Sequence, residues 1–441
     1  MPGFSAGHHS PWSRGRGVPM ADARRPSKLS PAVAPSLLRE MNQRLLLDLL
    51  FAGGPATRPQ LAKATGLSQP TVISALSDLE RQQLVLPRGL ATSAPGRTPM
   101  LYEFNPAAGA VIGVDVGRQW LRLLVTDLAG TRLSQVNVRN RASNRDSLVG
   151  AITGLVARGS AEAGLSPELT THTVIGSPGV IKDDRSKLLY AVNLPDWHRS
   201  DVQAALQERI GPDVSFENDA NLAALGEYTY GAGQDADPFA YLTIGTGVGV
   251  GLVIDGHLYR GFTGSAGEVA YLPIGQETVL RKQRPAPGML EQSVSADAIV
   301  ERARAAGMTG SLTAEKVFRA ARRGDRAAAE VVAHEAQLLA RVVASISALL
   351  DPELIVVGGG VGQNLDLLQP LMMEELARLT LMRPALAVGD LRRDAVVMGA
   401  IAMGIEQARE AIFATRHARA AVPAQPGAAR SDQVSRSPAP R

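Results

Sequence analysis

Thr57–Leu79 reads TRPQLAKATGLSQPTVISALSDL, two short helices joined by a tight turn. Thr57 is placed to cap the first helix, and Gln60, three positions on, completes a capping box. Pro59 falls in the first turn, where a missing N–H costs nothing. Leu61, Ala62 and Ala64 continue the helix, and Gly66 supplies the backbone freedom to leave it. Ser68 caps a second helix with Pro70 in its first turn. Val72, Leu76 and Leu79 recur at three- and four-residue spacing and make one apolar face. Gln69, Thr71, Ser74 and Ser77 fall largely away from that stripe, small, polar and able to hydrogen-bond base edges. This is a helix-turn-helix. An αα-corner in any helical domain has the same outline, but an ordinary solvated face would carry more Lys and Glu. The expected partner is duplex DNA, with Ser68, Gln69, Thr71 and Ser74 at the contact.

The flanks fit a winged helix over residues 36–106. Ser36 opens a helix whose Leu37, Leu38, Met41, Leu45, Leu49 and Leu50 form an apolar stripe, ending at Gly53-Gly54. Beyond Leu79 come Leu84-Val85-Leu86, a turn at Pro87 to Gly89, a polar loop, and the short strand Leu101–Phe104. The loop holds Gly96-Arg97-Thr98-Pro99. An arginine held between a flexible glycine and a rigid proline suits a narrow minor groove, so Arg97 is a DNA candidate; an ordinary turn with a surface Arg reads equally well. Residues 1–35, rich in Pro, Ser, Gly and Arg without periodicity, read as a disordered arm, and residues 416–441 as a disordered tail.

Composition bounds the rest. A chain of 441 residues, 45% hydrophobic, divides into two or three packed units. No apolar run reaches the length of a membrane span, and no signal-peptide pattern opens the chain, so no membrane partner and a cytoplasmic setting are expected. Cysteine is absent, which removes disulfides and thiolate metal sites. The net charge of +4 is weak evidence about nucleic acid, because much of the surplus arginine sits in the two tails.

From Val111 the pattern alternates. Val111–Val116, Leu121–Thr126 and Leu133–Arg139 read as strands, followed by a helix from about Ser147 to Ala163, the buried strand Thr173–Ile175 and the turn Gly176–Gly179. A helix over roughly Asp201–Arg209 and a strand Val214–Phe216 lead into Glu217-Asn218-Asp219-Ala220-Asn221. The arrangement then partly repeats. Ala240–Ile244 and Val248–Ile254 form a glycine-linked hairpin. Long helices follow at about Asp325–Leu349 and Leu365–Leu379, with the buried strand Leu354–Val357 and Gly358-Gly359-Gly360 between them. Two similar halves suggest two lobes with a cleft between, and a last helix from about Gly399 to Thr415 packs on one of them.

Taken in order, LAKATGLSQPTV, GRTP, VIGVDVG, SPGVI with NLPDW, ENDANLAALGE, TIGTGVGVGLVIDG, GSAGEV and IVVGGGV resemble the ROK family of repressors, uncharacterised reading frames and sugar kinases, and its repressor branch in particular. The resemblance covers about Leu37 to Ala414. It implies an α/β, two-lobed, actin-like (sugar kinase/ribonuclease H-like) fold behind an N-terminal winged helix-turn-helix. The first lobe is expected over 107–237 with 399–415 and the second over 238–398. It also implies homodimers or homotetramers that bind a sugar or sugar-phosphate effector between the lobes.

Asn218-Asp219 follows a buried strand, at the sheet edge where open α/β proteins bind ligands. An Asn amide and an Asp carboxylate match a sugar's vicinal diol, although the same residues also suit a helix N-cap. By resemblance, Asp219 stands where family kinases keep the general base, Glu268 and Glu291 match sugar-contacting positions, and Gly179 lines the same pocket. Zinc-bearing members carry His where this chain has Tyr271, followed by a cysteine-rich loop. Pro273–Leu290 holds neither Cys nor His, so no zinc is expected, and Tyr271 takes over a sugar-facing hydrogen bond or simply packs. Family kinases have Asp-x-Gly-Gly-Thr-Lys at the first phosphate loop; here Asp115-Val116-Gly117 runs into Arg118-Gln119-Trp120. Gly245-Thr246-Gly247 and Gly359 keep the remaining nucleotide-loop pattern. Losing half the cradle removes most phosphoryl transfer, so the expectation is a sugar-responsive repressor with no working ATP site. The alternative is an ATP-dependent sugar kinase with Asp219 as base.

Overall fold

The structure, a computed structural model, describes residues 35–90, 99–166, 169–181, 188, 189, 197, 201–211, 213–275 and 288–421. Arg97 and residues 1–34 and 422–441 lie outside them, as do four of the five residues of NLPDW.

The head comprises α1 (Pro35–Gly53), β1 (Ala56–Thr57), α2 (Arg58–Thr65), α3 (Gln69–Arg81), β2 (Val85–Leu90) and β3 (Met100–Phe104). The capping box forms as read: Thr57 N–H donates to Gln60 Oε1 at 2.8 Å, and Gln60 N–H to Thr57 Oγ1 at 3.5 Å. Gly66 ends α2 at φ 72°, in the left-handed region. Ser68 Oγ accepts from Thr71 N–H at 3.3 Å and opens α3. Val72, Leu76 and Leu79 are fully buried. The wing is a three-stranded sheet in the order β1-β3-β2.

Two local readings change. Pro87–Gly89 is not a turn but lies within β2, where the pairing to β3 shifts between Pro87 and Gly89; a proline without a ladder donor is accommodated by a bulge. On α1, Leu37, Leu38, Met41 and Leu45 are exposed, while Leu46, Leu47 and Leu50 enter the core. The first half of α1 is held by polar bonds instead. Arg39 Nε and Gln43 Nε2 donate to Asp78 Oδ2 of α3 at 2.7 and 2.8 Å. Burial alone raises the Asp78 pKa, but hydrogen bonds from Arg81 and Arg39 overcome it and hold it below the usual carboxylate range.

The body begins with β4 (Ala110–Val116), β5 (Trp120–Asp127), β6 (Arg132–Arg139), α4 (Arg145–Glu162), β7 (Thr170–Ser177), the short pair β8 (Val180–Ile181) and β9 (Leu188–Leu189), α5 (Asp201–Ile210), β10 (Val214–Asn218) and α6 (Asp219–Tyr230). It continues with β11 (Phe239–Ile244), β12 (Val248–Ile254), β13 (His257–Leu258), α7 (Met289–Val294), α8 (Ala296–Ala305), α9 (Ala314–Arg322) and α10 (Arg326–Leu350). Last come β14 (Leu354–Gly358), α11 (Gly359–Gly362), α12 (Leu365–Leu379), β15 (Ala385–Val388) and α13 (Ala395–Ala421).

The suspected repeat is real. One sheet runs β10-β7-β4-β5-β6 and the other β13-β12-β11-β14-β15. Each is an antiparallel meander with two parallel strands added beside its first strand. β4 is buried at every position, as a strand covered on both faces must be. α10 is, among the described residues, long and apolar enough to cross a membrane, but 61% of that window is buried inside the protein; it is the core helix of the second lobe.

α13 starts four residues before the sequence reading and extends past Thr415 into the expected tail. It crosses α6 at very close range: a Cβ on Gly399 would sit 1.7 Å from the Leu222 carbonyl oxygen, and one on Gly226 2.4 Å from the Ala395 oxygen. Farther along, Ile405, Ala408 and Ile412 share one hydrophobic core with Leu46, Leu47 and Leu50 of α1 and with Val111 and Leu124 of the first sheet. Arg409 Nη2 reaches Asp48 of α1 at 2.8 Å, and Arg44 Nη2 reaches Glu410 at 3.1 Å. Head and first lobe are therefore joined through α13 rather than hung on a bare linker.

Candidate functional site

β10 delivers Glu217-Asn218 to the sheet edge, and the chain turns there into α6. Glu217, buried, fixes this corner: its Oε1 accepts from Asn218 N–H and Asn221 Nδ2, both at 2.9 Å, and its Oε2 from Arg260 Nε at 2.7 Å. Arg260 follows β13 on the second sheet, so this pair also ties the two lobes. Asn218 is the N-cap of α6, its Oδ1 accepting from the N–H groups of Ala220 and Asn221 at 2.8 and 3.1 Å. Its Nδ2 donates to the Gly179 carbonyl at 3.0 Å. The Asn218 oxygen is thus committed to the helix, and of this pair Asp219 is the residue with an oxygen to offer a ligand: its Oδ1 accepts from Ala220 N–H at 2.9 Å.

Asp219 lines a cleft of about 260 Å³ together with Gly179, Asn218, Glu268, Tyr271 and Glu291, and with Gly117, Gly245, Thr246 and Gly247. Residues from both lobes thus meet in one place. Gly267, at φ 84°, passes so close to β12 that a Cβ there would meet the Val250 carbonyl oxygen at 1.9 Å; this contact brings Glu268 to the rim. Burial, with the charge of Asp115 and more weakly that of Glu291, pushes Asp219 up to about 6. Burial, with Asp219 and Glu291, pushes Glu268 up to about 7. Like charges this close favour the protonated forms of Asp219 and Glu268. A polyol donates hydroxyls without adding charge.

Asp115 and Gly359 do not line the cleft. Asp115 is buried behind it, with Arg122 Nη1 at 2.7 Å from its Oδ2; burial raises its pKa and Arg122 opposes the rise. The first phosphate loop is closed on itself as a hairpin turn. Gly117 N–H is committed to the Trp120 carbonyl at 3.0 Å, its own carbonyl accepts from Asn140 Nδ2 at 2.9 Å, and the Asp115 carboxylate already has its cation. Around the second loop and at the start of α11 the glycines divide. Gly251 and Gly359 have backbone or helix atoms where a Cβ would stand, so packing explains them; Gly245 and Gly360 have room. Tyr271, 43% exposed, stands at the cleft mouth with an oxygen and no nitrogen or sulfur to offer. With no Cys or His between Pro273 and Leu290, the donor set does not fit zinc.

Among the cleft's further lining residues, two carry polar side chains. Thr243 and Arg118 also line the cleft. Thr243 belongs to the strand before the Gly245-Thr246-Gly247 turn, and Arg118 stands where the family's first phosphate loop has a glycine. On the head, Gln69 and Ser74 are exposed and Thr71 half-buried, all on the surface of α3 away from the core.

The comparisons with known proteins agree with this architecture. The sequence profile of the ROK family matches residues 111–407. The chain is 33% identical over 244 residues to the xylose repressor of Bacillus subtilis (strain 168), covering 54% of this chain and 62% of that relative's length. It is 26% identical over 392 residues to the xylose repressor of Caldicellulosiruptor bescii, covering 84% of this chain and 96% of that protein. Among solved structures, a ROK family transcriptional regulator, homolog of the E. coli MLC protein, superposes with a TM-score of 0.71 over 87% of this chain and 99% of its own, at 21% identity. With the repeated sheets, the cleft corner and the profile match in agreement, this chain belongs to the ROK family.

Proposed function

We propose that the protein is a sugar-responsive transcriptional repressor: the head holds operator DNA, and a sugar in the cleft changes that hold. One observation carries the reading. Asp219 is the first residue of α6, α6 is locked against α13 at Gly399 and Gly226, and α13 shares a hydrophobic core with α1 of the head. A ligand on Asp219 therefore pulls on the element that seats the head. By linkage, DNA weakens the sugar as much as the sugar weakens DNA.

In this reading α3 enters the major groove with Gln69, Thr71 and Ser74 towards base edges, and two heads of a homodimer or homotetramer take successive grooves. The effector is a neutral sugar or sugar phosphate. Because the relatives are xylose repressors, D-xylose heads the panel. The test is fluorescence anisotropy with DNA from upstream of the protein's own gene, with and without a panel of pentoses and hexoses. Asp219→Ala should bind DNA normally and ignore the sugar. DNA binding indifferent to every sugar in the panel sinks the proposal.

The kinase alternative keeps one supporting observation, the roomy Gly245 turn beside an Asp219 whose raised pKa suits a general base. The committed Gly117 N–H and the Asp115–Arg122 pair weigh against it. Sugar-dependent ADP release at more than trace rates would favour it.

A further inference from the structure

The corner between α7 and α8 serves the cleft twice. α7 carries Glu291. α8 opens with Ala296, whose N–H donates to the Gly245 carbonyl at 2.8 Å and so holds the glycine turn. α7 has only six residues, under two turns, too short to fix its own orientation.

Its C-terminal end is held from behind. Arg302 of α8 donates through Nη2 to the carbonyl of Ser293 on α7, and its Nη1 lies 3.2 Å from Glu335 Oε2. Glu335 lies on α10, fully buried, among Val331, Val332, Ala336, Leu338 and Leu339 of the second-lobe core. Its Oε1 has no hydrogen-bond partner among the described residues. For stability alone this is a poor choice, since a buried ion pair is commonly matched or bettered by apolar residues of similar volume. What the pair supplies is direction. A guanidinium is a rigid fork, and with one arm on Glu335 the other can only point at the Ser293 carbonyl.

We propose that Arg302 and Glu335 are positioning residues for the cleft: through the Ser293 carbonyl they set the orientation of α7 and thereby the place of the Glu291 carboxylate. This rests on the cleft being a carbohydrate pocket. Neither residue touches the ligand, and both act on affinity through α7.

The test uses the full chain and the double variant R302M/E335L, which removes both charges together and leaves none buried alone. Calorimetry gives Kd for D-xylose and D-glucose; thermal melting and sugar-free DNA binding serve as controls. The expected result is sugar affinity about tenfold weaker, equivalent to one misplaced hydrogen bond, with an unchanged or raised Tm and unchanged DNA binding. Glu335→Gln, which keeps an oxygen for Arg302, should stay close to wild type. A double variant with the wild-type Kd overturns the proposal, as does an affinity loss that merely tracks a fall in Tm. Should the double variant fail to fold, Arg302→Lys, which keeps charge but loses the fork, is read in its place, and a wild-type Kd there overturns the proposal too. If the wild-type protein binds neither sugar, the pocket reading fails and this proposal with it; if it binds and the variants match it, only the positioning role fails.

Discussion

The guanidinium carbon of Arg409 lies 3.7 Å from the centroid of the Phe51 ring, so α13 stacks a cation on α1 of the head. The same side chain pairs with Asp48, and Phe51 in turn meets Phe104 of the wing edge to face, with centroids 5.2 Å apart. Arg409 thus fixes α13 to α1 and, through Phe51, to the wing.

Arg409→Ala should therefore uncouple more than it destabilises. The stack and the partly exposed ion pair together are worth about 1 kcal/mol, a small fall in Tm. DNA affinity without sugar should stay within about threefold of wild type, a shift well under one hydrogen bond's worth, while the sugar-induced change in DNA affinity shrinks. Anisotropy titrations with and without D-xylose measure both. An undiminished response would show that the latch transmits nothing.

Gly399→Ala strikes backbone, not a yielding side chain, because its Cβ would overlap the Leu222 carbonyl. The α6–α13 crossing must open, at a cost of about 1–3 kcal/mol or more. A Tm lower by several degrees and a blunted sugar response are expected. A wild-type melting curve would contradict the close crossing.

The cleft carboxylates predict a pH dependence. Asp219 and Glu268 have folded-state pKa values of about 6 and about 7, above their ordinary 3.8 and 4.5, so the folded protein holds these protons more tightly than the unfolded chain. Their destabilising effect is absent below the ordinary values and complete above the raised ones; on this account the ligand-free protein loses stability as pH rises from about 4 to about 7. Sugar hydroxyls donate to the ionised forms, so sugar affinity should rise with pH through that upper range and then level. Calorimetry from pH 5 to pH 8 decides it. A flat profile would mean the carboxylates do not take hydroxyls.

Arg260→Ala leaves Glu217 buried without its cation. Arg260 is 41% exposed at its side chain, so water replaces part of what is lost, and the expected cost is about 1–3 kcal/mol. Because Glu217 also holds Asn218 and Asn221, sugar binding should weaken several-fold with DNA binding intact. Normal sugar affinity would show that the corner holds without this lobe-to-lobe tie.

The pocket is expected to need no metal. Exhaustive dialysis against a strong chelator should leave both Tm and sugar affinity unchanged, with Tyr271 standing where a nitrogen ligand would be required. A fall in either, reversed by Zn²⁺, would refute that expectation.

The sequence by itself determined what short-range chemistry controls. Thr57, Gln60, Gly66 and Ser68 set the helix-turn-helix through bonds spanning three or four residues, and short apolar runs bounded by turns set most strands of both sheets. The small edge strand β15 escaped because half-exposed residues beside a proline carry little pattern. Of the cleft residues, Asn218 and Asp219 were legible from the buried strand that precedes them, whereas Gly179, Glu268, Tyr271 and Glu291 were named only through the resemblance to the family. What only the tertiary structure decided depends on partners far apart in sequence. The Asn218 oxygen is used up by its own helix, and Arg122 neutralises Asp115 across a strand pair. Leu37, Leu38 and Met41 lie beyond the reach of the head's core although their spacing is helical. The bond from head to body is made by α13, more than 300 residues after α1. Local sequence specifies caps and faces because they are intrinsic to a segment; it does not specify which face meets which, because that is settled by the packing of the whole chain.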